Sequence, residues 1–220
     1  MVNPSLAWQA GHPWGAVYDF LVEREGLARL AGRVALDTDT RLLYRLIDAV
    51  GELPDGSRVL DIPCGGGVAL RGVRPEQRLH YVATDISAAM LARTRRAARA
   101  RGLSGVDTTM ADVERLPFED GRFDLALSFA GLHCFPRPQA AVMEIGRCVR
   151  PGGRFLGTLL LTGTGVRHRA TITAGRLAGL VGPSGSRDGL EGWLDLAGLG
   201  DVHIEVSGAV GYFTARRPEA

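Results

Sequence analysis

Three acids stand where a parallel sheet would offer them to a ligand. Asp61 lies in the run Val59-Leu60-Asp61-Ile62-Pro63-Cys64-Gly65-Gly66-Gly67, where an apolar stretch opens into a glycine cluster. Asp85 follows Tyr81–Thr84, and Asp112 follows Val106–Met110. Each stretch reads as a strand, so each acid falls at a carboxyl end, where open α/β sheets bind ligands. Glycines after Asp61 let the backbone bend through positive φ and let a ligand approach the main chain closely. A carboxylate at Asp85 can accept both hydroxyls of a ribose. A dinucleotide turn would carry a third glycine where this chain has Leu70, and no long cradle for a pyrophosphate follows. Three acids around a small neutral turn suit a nucleoside carrying a cationic tail better than a pyrophosphate.

The elements that must position these acids follow from periodicity. Ala16–Leu30 carries Val17, Phe20, Leu21, Leu27 and Leu30 at mostly helical spacing. A second helix spans about Thr38–Val50, with Leu42, Leu43, Leu46, Ile47 and Val50 as its stripe. After the first strand and its glycines a short helix ends near Gly72. Ser87 is placed to cap a helix running to about Arg101. Phe123–Phe129 is nearly all apolar, which predicts a central strand. Gln139–Val149 reads as a helix ended by Pro151-Gly152-Gly153, and Arg154–Leu161 as the fifth strand. The Gly- and Thr-rich stretch Thr162–Gly185 breaks the rhythm, with a helix expected only within Leu177–Val181. Leu190–Ala197 looks helical, and Val202–Val206 and Val210–Ala215 form a strand pair around Gly208. Alternating strands and helices imply an α/β, doubly wound, mostly parallel seven-stranded sheet. The last two strands lack a crossover helix, so one of them is expected to be antiparallel.

Composition bounds the rest. The chain has 220 residues and is 45% apolar, which fits one domain with a sizeable core. The expected division is a helical cap over 1–52, a cofactor core over 58–161, a substrate-side insert over 162–185, and a closing helix and strands over 186–220. All 26 basic residues are arginines, so no Schiff-base lysine and no phosphate-loop lysine exists. A net charge of +2 demands neither a nucleic-acid nor a membrane partner. Cys64, Cys134 and Cys148 are far apart, which argues against a disulfide framework or a structural zinc site, and no metal is expected. With no secretory leader pattern and no long apolar run, a cytoplasmic chain without a membrane span is expected.

Taken together, Val59–Gly67, Val82–Ser87, Met110–Pro117, Phe123–Phe129 and Arg147–Gly153 resemble the motifs of class I S-adenosylmethionine-dependent methyltransferases, in order and at the usual spacing. The likeness covers about Arg58 to Leu156 and is strongest to the small-molecule branch that includes quinone-biosynthesis and natural-product enzymes. It implies a Rossmann-like fold and S-adenosyl-L-methionine as cofactor, with S-adenosyl-L-homocysteine as product. By that resemblance Asp61, Pro63, Gly65 and Gly67 belong to the turn holding the methionine end. Asp85 would bind the ribose, Ile86 would pack on the adenine, and Asp112 with Val113 would meet its amino group. Phe129 would lie near the sulfonium or the substrate. Pro63 replaces the first glycine of the family turn. The reaction would be in-line displacement of the methyl group by a small-molecule nucleophile. His133, following the fourth strand, is the candidate general base. Tyr18, His133 and His168 are placed on the substrate side, and His12, near Trp8 and Trp14, in an N-terminal lid. A nicotinamide-dependent oxidoreductase and a non-catalytic S-adenosylmethionine-binding module are the alternatives. The acceptor and the oligomeric state are not legible.

Overall fold

The structure, a computed structural model, describes residues 24–179 and 181–219. The expectations for Tyr18, His12, Trp8 and Trp14, and for the first part of the Ala16–Leu30 helix, fall outside the described residues.

Seven strands form one sheet. They are β1 (Arg58–Asp61), β2 (His80–Asp85), β3 (Val106–Met110), β4 (Phe123–Ser128), β5 (Val149–Leu160), β6 (Gly200–Ser207) and β7 (Val210–Arg216). Their order across the sheet is β3-β2-β1-β4-β5-β7-β6. The first five pair in parallel, and β7 runs antiparallel to both β5 and β6. This is the doubly wound sheet expected from the alternation of strands and helices. β4 lies in the middle, and its Phe123, Leu125, Ala126 and Leu127 are fully buried because helices cover both faces. On one face pack α2 (Arg41–Asp48) and α3 (Ala88–Ala100); on the other pack α4 (Pro138–Cys148) and α6 (Arg187–Leu196). Adjacent residues divide accordingly: Val59 joins the first core and Leu60 the second.

Two helices lie over the carboxyl ends of the strands. α1 (Glu25–Leu36) and α5 (Val166–Leu177) contact each other. α1 continues past Leu30 and turns its smallest residues inward. Ala28 is buried, whereas Leu27 and Leu30 are 41% and 64% exposed, so the large apolar stripe read from sequence is not the buried one. The end of α1 is tied to the β6–β7 turn: Ala209 N–H donates to Leu36 O at 2.9 Å. A Cβ on Gly208 would come within 2.1 Å of that same oxygen, so only glycine allows the approach. α5 fills the first part of Thr162–Gly185, where a loop was expected, and the chain turns after Leu177, where a helix was expected. Its Thr171, Ile172, Thr173 and Gly175 are poor helix formers, so this helix depends on packing rather than propensity.

Strand β5 begins at Val149, directly after α4, and takes in Pro151-Gly152-Gly153 instead of starting at Arg154. The register between β4 and β5 shifts at Phe123/Leu125 to accommodate it. Arg147 anchors the neighbouring turn. Its guanidinium pairs with Glu144 and Asp120 and donates to Phe118 O at 2.8 Å. No described helix is long and apolar enough to cross a membrane.

Candidate active site

A cavity of about 680 Å³ opens at the carboxyl ends of the parallel strands, beneath α1 and α5. Of the residues expected in the site, Asp61, Pro63, Gly65, Asp85, Ile86, Asp112, Val113, Phe129 and His133 all line it. Gly67 and His168 do not.

The first strand delivers Asp61 to the cavity floor, 2% exposed. Tyr81 O–H donates to its Oδ2 at 2.8 Å. Burial raises the Asp61 pKa to about 7; the Tyr81 bond opposes the rise and the nearby Asp85 charge adds to it. The chain then turns through Gly65 at φ 51° and Gly67 at φ 88°. Gly67 caps the short 3₁₀ helix Val68–Gly72, and a Cβ there would sit 3.0 Å from Leu70 Cδ1 and 3.4 Å from Thr94 Cα. Its part is to make the turn and clear α3, not to face the cavity.

Pro63 departs from the family turn, and the structure supplies its counterpart. A Cβ on Gly131, after β4, would fall 2.0 Å from Pro63 Cδ. The proline ring thus occupies the space that a side chain at position 131 would need. Ala130, beside it, adopts φ 53°, uncommon for a residue with a Cβ. Ala130 N–H donates to Thr158 Oγ1 at 2.8 Å, and both residues line the cavity.

Asp85 is 6% exposed, with both oxygens held by main-chain donors. Gly65 N–H reaches Oδ2 at 3.1 Å and Ser87 N–H reaches Oδ1 at 2.9 Å. Ser87 sits at the start of α3 as expected, but its hydroxyl makes no hydrogen bond; its N–H orients Asp85 instead. Asp112 closes the acidic edge, its Oδ1 accepting from Glu114 N–H at 3.0 Å. Ile86, Met90, Val113 and Phe129 supply apolar surface around these acids.

His133 sits in the short 3₁₀ turn Leu132–Cys134 and is half-buried. Its Nδ1 accepts a long 3.4 Å contact from Leu160 N–H, which assigns the ring proton to Nε2. Desolvation pushes its pKa down to about 4. A ring so held is a neutral donor and a poor proton acceptor, which runs against the expected general base. His168 Nδ1–H donates to Thr164 O at 2.9 Å within α5 and its lead-in, away from the cavity wall. Burial also pushes the Cys134 thiol up to about 12 and the Cys64 thiol above its usual range, so neither is a nucleophile near neutral pH.

Sequence reading missed the cavity's far side. Ala28, Ala31, Gly32 and Ala35 of α1, and Thr171, Ile172, Ala174 and Gly175 of α5, face it, with Val210 and Tyr212 of β7. Thr38 Oγ1 and Tyr212 Oη share a 2.8 Å hydrogen bond there. The Ala/Gly spacing of α1 was the available signal, but small residues mark a periodicity weakly.

No arginine lines the cavity among the described residues, although the chain has 26. Three carboxylates and no cation fit a nucleoside whose tail is positively charged. They do not fit a pyrophosphate, which needs backbone donors or cations in number.

Comparison with known proteins agrees with this geometry. Residues 60–157 match the family described as "Methyltransferase domain". A probable phthiotriol/phenolphthiotriol dimycocerosates methyltransferase 2 of Mycobacterium ulcerans is 38% identical over 101 residues, 46% of this chain and 38% of that protein. The chain thus spans roughly two fifths of that relative. Among solved structures, the [4+2]-cyclase SpnF superposes with TM-score 0.62 at 24% identity, over 80% of this chain and 81% of the other. A phosphoethanolamine N-methyltransferase 2 of Haemonchus contortus, complexed with phosphomonomethylethanolamine and S-adenosylhomocysteine, gives TM-score 0.67 at 18% identity, over 82% and 53%. Residues 60–157, less than half of the chain, thus match the methyltransferase-domain model, and the sheet shares the fold of these solved structures.

Proposed function

We propose that this chain is an enzyme that transfers a methyl group from S-adenosylmethionine to a small-molecule acceptor, releasing S-adenosylhomocysteine. The observation that carries this reading is Asp85, whose two oxygens are aimed by Gly65 and Ser87 N–H groups at the edge of a cavity with no arginine among its described lining residues. Asp85 accepts from the ribose hydroxyls. Asp112 and the Val113 main chain meet the adenine, with Ile86 and Phe129 as apolar walls. Asp61, Pro63 and Gly65 hold the methionine end. The cofactor supplies an activated methyl on a sulfonium.

The acceptor's lone pair forms the new bond to the methyl carbon in line with the breaking carbon–sulfur bond. That bond's electron pair stays on sulfur, and the acceptor's proton leaves to solvent. Orientation by the cavity contributes most, about 7–11 kcal/mol at best. His133 donates through Nε2 rather than acting as base. The division of labour places the 58–161 core on the cofactor, with α1, α2 and the 162–185 segment on the acceptor. Free, largely buried cysteines suit a reducing compartment such as the cytoplasm.

Because SpnF, a cyclase, shares this sheet, binding and turnover are tested separately. Calorimetric titration with S-adenosylhomocysteine is expected to show saturable binding and titration with NAD none. Tight NAD binding without S-adenosylhomocysteine binding would sink the proposal. Cofactor binding with no methyl transfer to any acceptor of a broad panel would favour the non-catalytic reading.

A further inference from the structure

We infer that the acceptor is an uncharged, hydrocarbon-rich molecule, bound on the α5 side of the cavity; this rests on the methyltransferase reading above. Charge divides the cavity into two parts. Asp61, Asp85 and Asp112 gather at the ends of β1, β2 and on from β3, while the described lining residues of α1, α5 and β7 are all neutral. Across from the acids the wall is Gly32, Leu36, Ile172, Gly175 and Val210. Its polar groups are hydroxyls, and the buried pair Thr38 and Tyr212 already satisfy each other.

A charged acceptor would leave its hydration shell and find no partner there. A carboxylate or phosphate would also face three acids with no arginine among the described lining residues. Residues 1–23 contain no Arg or Lys in their sequence. His133, the titratable base among the described lining residues, is held as a neutral donor. A cationic acceptor meets the opposite difficulty: the acids near it are taken up at the cofactor end. The small residues of α1 and α5 leave volume rather than contacts, and apolar volume is filled favourably by hydrocarbon in proportion to the area buried.

The test uses the full chain and three probe series of matched length: 4-alkylphenols, 4-alkylbenzoates and 4-alkylbenzylamines. Binding of S-adenosylhomocysteine alone is measured first, and each series is then titrated into the saturated protein. The phenol Kd is expected to fall about fourfold per added methylene until the cavity is full. The charged series are expected to bind at least about tenfold more weakly at equal length. Ala174→Phe, which adds bulk on α5, is expected to cut short the gain with chain length while S-adenosylhomocysteine affinity stays within about twofold. Benzoates or benzylamines binding as tightly as phenols, or no dependence on chain length, would overturn the inference while leaving the cofactor reading intact. An Ala174→Phe protein with an unchanged phenol series would remove α5 from the acceptor wall. Absent S-adenosylhomocysteine binding would overturn the methyltransferase reading, and this inference with it.

Discussion

The two ends of the cavity are built on different principles. At the acidic end each carboxylate is fixed by donors close in the fold: Asp61 by Tyr81, Asp85 by Gly65 and Ser87, Asp112 by Glu114. At the other end α1 and α5 present Ala, Gly and Thr, and a long-range side-chain bond in that wall joins Thr38 to Tyr212. A ligand with fixed chemistry is met by oriented lone pairs whose positions are set before binding. On the proposed reading, an acceptor is met by shaped volume. The first device sits on strand ends and tight turns of the central sheet. The second sits on two helices over the strand ends.

If the acidic end is rigid by interlocking, disturbing the lock should cost most. Gly131→Ala places a methyl 2.0 Å from Pro63 Cδ, against a ring that cannot fold away. Overpacking of this kind costs about 3 kcal/mol. The expected outcome is a markedly lower denaturation midpoint, largely restored when Pro63→Gly is added. A stability loss that Pro63→Gly leaves unchanged would mean the two residues do not share one space.

Asp85→Ala comes next. Hydrogen bonds to a charged group contribute about 1.5–3 kcal/mol, so S-adenosylhomocysteine should bind roughly 10- to 150-fold more weakly. Equal affinity in the calorimeter would take Asp85 out of the site and with it the contrast between the two ends.

Asp61 offers a pH-dependent version of the same comparison. Its carboxyl ionises near 7 in the folded chain against an ordinary value of 3.8. Between those values the folded form holds a proton that the unfolded form has lost. Its contribution to stability is therefore complete below about pH 4 and is lost as pH rises toward 7. Asp61→Asn keeps an acceptor for Tyr81 O–H and removes the titration. Thermal midpoints measured from pH 4.5 to 8 should slope downward more steeply in the wild type than in the variant. Parallel curves would show that burial does not hold Asp61 protonated.

The same division decides what the sequence made legible. β1, β2 and β4 announce themselves as apolar runs because both faces of each are covered, and their terminal acids follow directly. Gly65 and Gly67 were readable as a turn, but not which of them faces the ligand, because that depends on where Leu70 and Thr94 pack. Gly131 carries no local sign of its partnership with Pro63, which lies 68 positions earlier in the chain. α5 was missed because Thr171, Ile172, Thr173 and Gly175 argue locally against a helix, and only α1 beside it makes one worthwhile. His168 looked like a site residue by type and by loop, yet a backbone carbonyl four residues back accepts its ring N–H. What sequence hides, in each case, is set by contacts between distant segments.

The smallest expected effect probes the far wall. Tyr212→Phe removes the hydroxyl that meets Thr38 Oγ1, leaving a 5% exposed threonine without that partner. The cost should be about 1 kcal/mol of stability, the usual net worth of such a bond plus part of an unmet desolvation. Adding Thr38→Val replaces both polar partners by apolar groups of similar shape, and the double variant should regain most of that loss. If the pair only closes the wall, S-adenosylhomocysteine affinity stays constant throughout, and longer 4-alkylphenols bind at least as well to the double variant, whose wall is more apolar. If instead the double variant loses phenol binding, the hydroxyls hold the acceptor directly, and the far wall recognises its ligand by oriented groups after all, as the acidic end does.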